Sequence, residues 1–200
     1  ERGRGVFHDL FGANPAGLWP SEGSISPAAL EMASSTGFRW AATDEILLAR
    51  ALGKSVRRDP EGIPIEPDWF YRPYAAVTKS GSIPVFFRDH RLSDLIGFTY
   101  SNWRAEDAVA NLVGHMENIA AVCPDRDNCL ITIILDGENA WEYYPENGYH
   151  FLRQLYTRLA EHPQLRLTTM EQFLTEKSPE PAHAEKLVAG SWVYGTFSTW

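Results

Sequence analysis

Four acidic residues fall where chemistry could be done. Glu22, Asp44, Asp89 and Asp136 each lie at or just past the C-terminal end of a predicted strand. Parallel α/β proteins assemble their sites on that edge, so side chains far apart in sequence can share one mouth. Two carboxyl groups facing each other can divide a displacement at an acetal carbon between them, one attacking or activating water while the other protonates the leaving oxygen. Glu22 and Asp136 are the pair that suits. Glu22 stands between Pro20-Ser21 and Gly23-Ser24, rigid or small residues that leave room for a substrate ring, although Ser-Glu-Gly is also a common exposed turn. Asp136 is followed by Gly137, which relaxes the backbone, and by Glu138, a second acid where a helix cap would need one. Asp44 reads equally well as the cap of the helix after its strand.

Those acids need strands beneath them. Short β-branched or aromatic runs alternate with helical patterns in four or five βα units, which predicts an α/β protein with parallel strands. The first strand ends near 17–22, and Ser26-Pro27 caps and opens a helix through Ser35 that Gly37 stops. Residues 38–42 read as the second strand, with Thr43-Asp44-Glu45 heading a helix to Leu52. The stretch 53–81 is punctuated by prolines but carries Trp69, Phe70, Tyr71 and Tyr74, which want burial, so it is expected to be an irregular excursion. A third strand over 83–87 ends on Arg88-Asp89-His90. The helix over 105–122 places Ala108, Leu112, Met116 and Ile119 on one core stripe. Residues 130–135 are an unbroken apolar run, the pattern of a strand buried on both faces, and they deliver Asp136. A helix over 148–161, a strand over 165–168 and a helix opening at Thr169 complete the pattern, with a Pro-rich surface loop over 178–184.

Composition narrows the function. A chain of 200 residues with 44% apolar content is expected to form a single domain over 1–200. Its formal charge of −8, with no basic stretch, argues against a nucleic-acid partner. No apolar run reaches the roughly 20 residues of a membrane-spanning helix, so no membrane partner is expected, and the location expected is cytoplasmic. Cys123 and Cys129 flank a turn-rich stretch; two reduced thiols are the expectation and a disulfide the alternative. There is no HxxxH and no His/Asp cluster at ligand spacing, so neither a metal nor a cofactor is expected, which disfavours a metal-dependent deacetylase. His115 reads as an ordinary helix histidine. Seven tryptophans offer flat apolar faces that suit either a core or a sugar ring.

Four stretches together carry a resemblance. Gly17-Leu18-Trp19-Pro20-Ser21-Glu22-Gly23-Ser24 resembles the nucleophile region of glycoside hydrolase family 57, in its amylopullulanase-like branch. Leu135-Asp136-Gly137-Glu138-Asn139-Ala140-Trp141-Glu142 resembles that family's acid/base region, and the stretch from Phe87 to Phe98 resembles the segment between them. Gly190-Ser191-Trp192, with Trp200, resembles the start of its last region. The resemblance implies a partial (β/α)7 barrel whose N-terminal strands precede Glu1, and retaining hydrolysis or transglycosylation of α-1,4 or α-1,6 glucans. It casts Glu22 as nucleophile and Asp136 as acid/base. Trp19, Asp89, His90, Trp141 and Trp192 become candidates to bind the α-glucan or maltooligosaccharide, supported by Arg88, Asp94 and Glu138, and Asp44 joins them from its strand-end position. An open barrel exposes strand edges that invite a missing N-terminal segment or another chain. The alternative is a carbohydrate-binding remnant or incomplete fragment that keeps the site without turning over.

Overall fold

In the computed structural model, residues 1–138, 140–177 and 187–198 are described in full and 182–184 by backbone alone. The elements run α1 (Arg2–Phe11), β1 (Gly17–Leu18), α2 (Pro27–Ser35), β2 (Trp40–Asp44), α3 (Glu45–Leu52), β3 (Tyr74–Thr78) and β4 (Gly81–Arg88). Then follow α4 (His90–Asp94), α5 (Ala105–Val122), α6 (Tyr149–Ala160), α7 (Met170–Lys177) and β5 (Ala182–Ala184). No helix among the described residues is long and apolar enough to cross a membrane. The chain divides into two interleaved compact units: Glu1–Val56, Arg72–Phe87 and Thr169–Trp200 form one, Arg57–Tyr71 and Arg88–Thr168 the other.

The first unit is built on a sheet of order β1-β2-β4-β3-β5. β1 runs parallel to β2, with Gly17 opposite Trp40, and glycine is required there because a Cβ would sit 2.0 Å from the Trp40 ring. Trp40 in turn meets Phe86 of β4 edge-on at 5.7 Å. β3 and β4 form an antiparallel hairpin in which Thr78 faces Gly81, and β5 runs parallel to β3. Small residues at the centre of β2, Ala41 and Ala42, are fully enclosed and admit the helices closely. α2 starts where expected: the Ser26 hydroxyl accepts from the Ala29 N–H at 3.1 Å, Pro27 occupies the first turn, and Leu30 and Ala33 face inward. α3 buries Leu47 and Leu48 and ends on left-handed Gly53.

The second unit packs α5 against α6. The predicted stripe of α5 is buried as expected, with Val109 and Val113 widening it, against Phe151, Leu155 and Leu159 of α6. Cys123 at the end of α5 is joined to Cys129 in a disulfide, which overturns the expectation of reduced thiols. The Asp125 side chain caps the short turn between them by accepting from Asn128 N–H, and this brings the two sulfurs together.

Several sequence expectations fail or shift here, the first being that of parallel strands throughout, since β3 and β4 pair antiparallel. Residues 130–135 form no strand, and only Thr132 is buried among them. A strand needs a ladder beside it, and these backbone groups go elsewhere: Leu130 N–H donates to the Tyr71 carbonyl and the Thr132 carbonyl accepts from Asp89 N–H. Residues 165–168 form no strand either; the Leu165 N–H is taken by His162 Nδ1 at 3.0 Å, and Leu167 is exposed. The 53–81 excursion contains β3, whose residues Tyr74, Ala75 and Ala76 are buried on both faces and made regular by pairing with β4. The 178–184 loop contains β5 at 182–184, and its remainder lies outside the described residues. Helix α1 arises where no element was expected, and none of its residues is buried.

Candidate active site

Glu22 belongs to the first unit, on a tight turn after β1. Its backbone is left-handed, with φ 56° and ψ 24°, a conformation unfavourable for a residue with a Cβ. Gly23 follows at φ 57°, where a side chain would press on Trp19 at 3.0 Å. Two adjacent left-handed residues persist because their surroundings hold them. Gly23 N–H reaches back to the Pro20 carbonyl, Ser24 N–H reaches Ser21, and the buried Thr43 hydroxyl of β2 donates to the Gly23 carbonyl at 2.6 Å. Trp192 clamps the turn twice: its backbone N–H donates to the Glu22 carbonyl at 3.1 Å, and its indole Nε1–H donates to Glu22 Oε2 at 2.7 Å. The Trp192 ring lies 5.1 Å from that of Trp19, tilted by 56°.

Trp192 arrives there because Ile25 and Gly190 exchange both backbone hydrogen bonds. A Cβ at Gly190 would sit 2.4 Å from the Gly195 carbonyl oxygen, so only glycine permits that approach. Thus Glu22 is half-buried, bound by the Trp192 indole, which in turn packs on Trp19 beside the turn. Of its two carboxylate oxygens, Oε2 is held by that indole, and among the described residues no hydrogen bond reaches the other. Asp44 is fully enclosed, and its Oδ1 accepts from Ile46 N–H at 3.0 Å as the cap of α3.

Asp136 belongs to the second unit, half-buried at the end of the 130–135 segment, and no hydrogen bond joins its side chain to another described residue. In place of a strand ladder, side chains hold the segment two residues upstream. Ile134 N–H donates to Ser93 Oγ at 3.2 Å, and the Ile134 carbonyl accepts from Arg88 Nη1 at 3.2 Å. Ser93 is itself anchored, donating to the Asp89 carbonyl at 2.7 Å. Arg88 is oriented by Asp94 at 2.6 Å, and Asp94 also meets His90 Nε2 at 2.9 Å. Burial pushes the Asp94 carboxyl up, but His90 through its hydrogen bond and charge, and Arg88 beside it, outweigh burial and hold it below the usual aspartate value.

Asp89 is fully enclosed. Its Oδ1 caps α4 through Leu92 N–H at 2.9 Å, while Oδ2 accepts from Tyr71 at 2.9 Å and faces Arg58 at 3.3 Å. Burial, and then the Asp89 charge, push the Tyr71 phenol up, so it stays a donor. Trp141 packs against Tyr144 at 5.4 Å and over Gly148, with part of its ring exposed; Glu138 is exposed. Asn139 and Trp200 lie outside the described residues. Thr43, Ser93, Arg58 and Tyr71 are structural partners of the site that sequence reading missed. Only Tyr71 carried a signal, as an aromatic in a stretch that wanted burial.

The same fold occurs in solved structures. A 4-α-glucanotransferase from Thermococcus litoralis matches 96% of this chain at 18% identity and TM-score 0.66, over 27% of its own length. A GH57-type branching enzyme from Pyrococcus horikoshii matches 99% of the chain at 17% identity and TM-score 0.69, over 44% of its length. A GH57 branching enzyme from Thermococcus kodakaraensis, solved with glucose, matches 99% at 18% identity and TM-score 0.72, over 46% of its length. The chain therefore spans between about a quarter and a half of those proteins. No curated protein matches the sequence. The model of glycosyl hydrolase family 57 matches residues 1–185, and the chain belongs to that family.

Proposed function

We infer that the protein is a retaining glycoside hydrolase or transglycosylase acting on α-1,4 or α-1,6 glucans, in an amylopullulanase-like branch and as part of an incomplete (β/α)7 barrel. The observation that carries the reading is the Glu22 carboxylate, held in a strained turn through one oxygen by the indole of Trp192, whose ring packs on that of Trp19. In this reading the free Glu22 oxygen attacks the anomeric carbon while the glycosidic bond breaks. Asp136 gives its proton to the departing oxygen. Asp136 then takes a proton from water or from an acceptor hydroxyl, which displaces Glu22 from the opposite face and restores the α configuration. Water yields hydrolysis, and sugar yields transfer. The indoles of Trp19 and Trp192 offer apolar faces to the sugar's C–H faces.

The two carboxylates should fail differently. Glu22→Ala should abolish turnover of every substrate, because no covalent intermediate forms. Asp136→Ala should lose about 10²–10⁴-fold on glucan yet still transfer from an aryl α-glycoside, whose leaving group needs no proton, and azide should rescue it as the α-glycosyl azide. Unimpaired glucan turnover in either variant would refute the assignment. A second reading, a carbohydrate-binding remnant that keeps the site without turnover, draws on the half-exposed 130–135 run, where a further segment or another chain would pair. Glucan binding by the unaltered protein without any product would favour it.

A further inference from the structure

The second unit contains a cavity of about 270 Å³ that none of the motif residues lines, apart from Tyr144 and its neighbours after the acid/base region. Its wall is aromatic: Tyr100, Trp103, Tyr144 and Phe151. The two phenol hydroxyls are turned away into the protein, Tyr100 donating to Asn111 at 2.7 Å and Tyr144 to the Ile96 carbonyl at 2.6 Å. The rings therefore present carbon to the cavity. Trp103 stands edge-on to Tyr100 at 5.4 Å and remains 45% exposed, so much of a large apolar side chain is left to solvent.

The rim is polar. Arg104, Glu106 and Gln154 supply a cationic donor, an acceptor and an amide. Their mutual contacts are long, 3.4 Å from Gln154 to Glu106 and 3.8 Å from Arg104 to Glu106, and entering hydroxyls can replace them. Its own backbone N–H, and then Gln154, hold the Glu106 carboxyl below the usual glutamate range.

An apolar aromatic wall with donors and acceptors around its edge matches a pyranose, whose C–H faces are apolar and whose equator carries hydroxyls. Size sets the limit: pockets for drug-sized ligands begin at about 300 Å³, so this one takes a single ring. We propose that the cavity is an accessory sugar site that seats one glucose residue of an α-glucan on Trp103, with Arg104, Glu106 and Gln154 binding its hydroxyls. The choice of glucose rests on the functional reading above.

The test is a titration of the ¹⁵N-labelled protein with maltose, following the tryptophan indole signals, with that of Trp103 identified by its loss in Trp103→Phe. The Trp103 indole should shift along its own saturation curve with a dissociation constant in the millimolar range, on the order of 1–10 mM. Gln154→Ala should weaken that curve at least threefold, and this variant carries the test should Trp103→Phe fail to fold. A Trp103 signal that does not move while those of Trp19 and Trp192 do would overturn the accessory site and leave the catalytic reading standing. Movement of Trp103 in a protein that never turns over glucan would support the site and sink the catalytic reading. A curve unchanged by Gln154→Ala would also overturn the proposal.

Discussion

Trp192→Phe removes a single donor, the indole N–H that reaches Glu22 Oε2 at 2.7 Å, and keeps an aromatic ring beside Trp19. The backbone bond from residue 192 to the Glu22 carbonyl is unaffected by the change, so the turn itself should survive. Hydrogen bonds to charged groups contribute about 1.5–3 kcal/mol when shielded from water. Glu22 is only half-buried, which puts the expected effect near the lower limit. A loss of about 1.5 kcal/mol in positioning corresponds to roughly a tenfold fall in rate. In the proposed mechanism the step affected is attack by Glu22, so the glycosylation rate measured as a burst with an aryl α-maltoside should fall about tenfold. The melting temperature should shift by no more than a few degrees, as expected for about 1 kcal/mol in a chain of this size. A Phe variant with an unchanged burst rate would show that the indole bond does not set the position of Glu22. A variant that melts far lower with the same burst rate would assign Trp192 to stability alone.

Ser93→Ala strips the Ile134 N–H of its partner two residues before Asp136. With Asp136 as the proposed acid, activity on glucan should fall about tenfold while turnover of an aryl glycoside with a good leaving group stays near the parent value; equal losses on both would refute positioning through Asp136. Asp94 has a lowered pKa in the folded protein, so its ionised form contributes stability above the ordinary carboxylate pKa, and that contribution is lost as pH falls through the lowered value. Melting temperature should therefore drop on acidification below about pH 4, less steeply in Asp94→Asn, and identical slopes would contradict the His90–Asp94–Arg88 network. Reducing the Cys123–Cys129 bond, which closes a loop of sequence separation 6, should lower stability by about 2 kcal/mol and expose two titratable thiols. Two thiols reacting in the unreduced protein would contradict the disulfide.

What could be read from sequence alone was written locally. Ser26-Pro27 fixes the start of α2 because a hydroxyl and a ring with preset φ act within one turn, and the stripe Ala108, Leu112, Met116 and Ile119 marks α5 because its period is that of the helix. Asp44 was legible as a cap for the same reason. The Glu22 and Asp136 pairing came from their strand-end positions and small neighbours, then from motif order, and no local rule fixes the distance between the two carboxylates. Tertiary structure decided whatever depended on a partner distant in the chain. Residues 130–135 have the composition of a buried strand, but the groups that satisfy them are Tyr71, Asp89, Arg88 and Ser93 rather than a ladder. β3 lay hidden in a proline-punctuated stretch because its regularity comes from β4. Asp89 carried the same strand-end signal as Asp136, yet it is enclosed by Tyr71, Arg58 and the first turn of α4, while Asp136 is left half-exposed. Burial is a property of the neighbours, and the sequence around an aspartate does not name them.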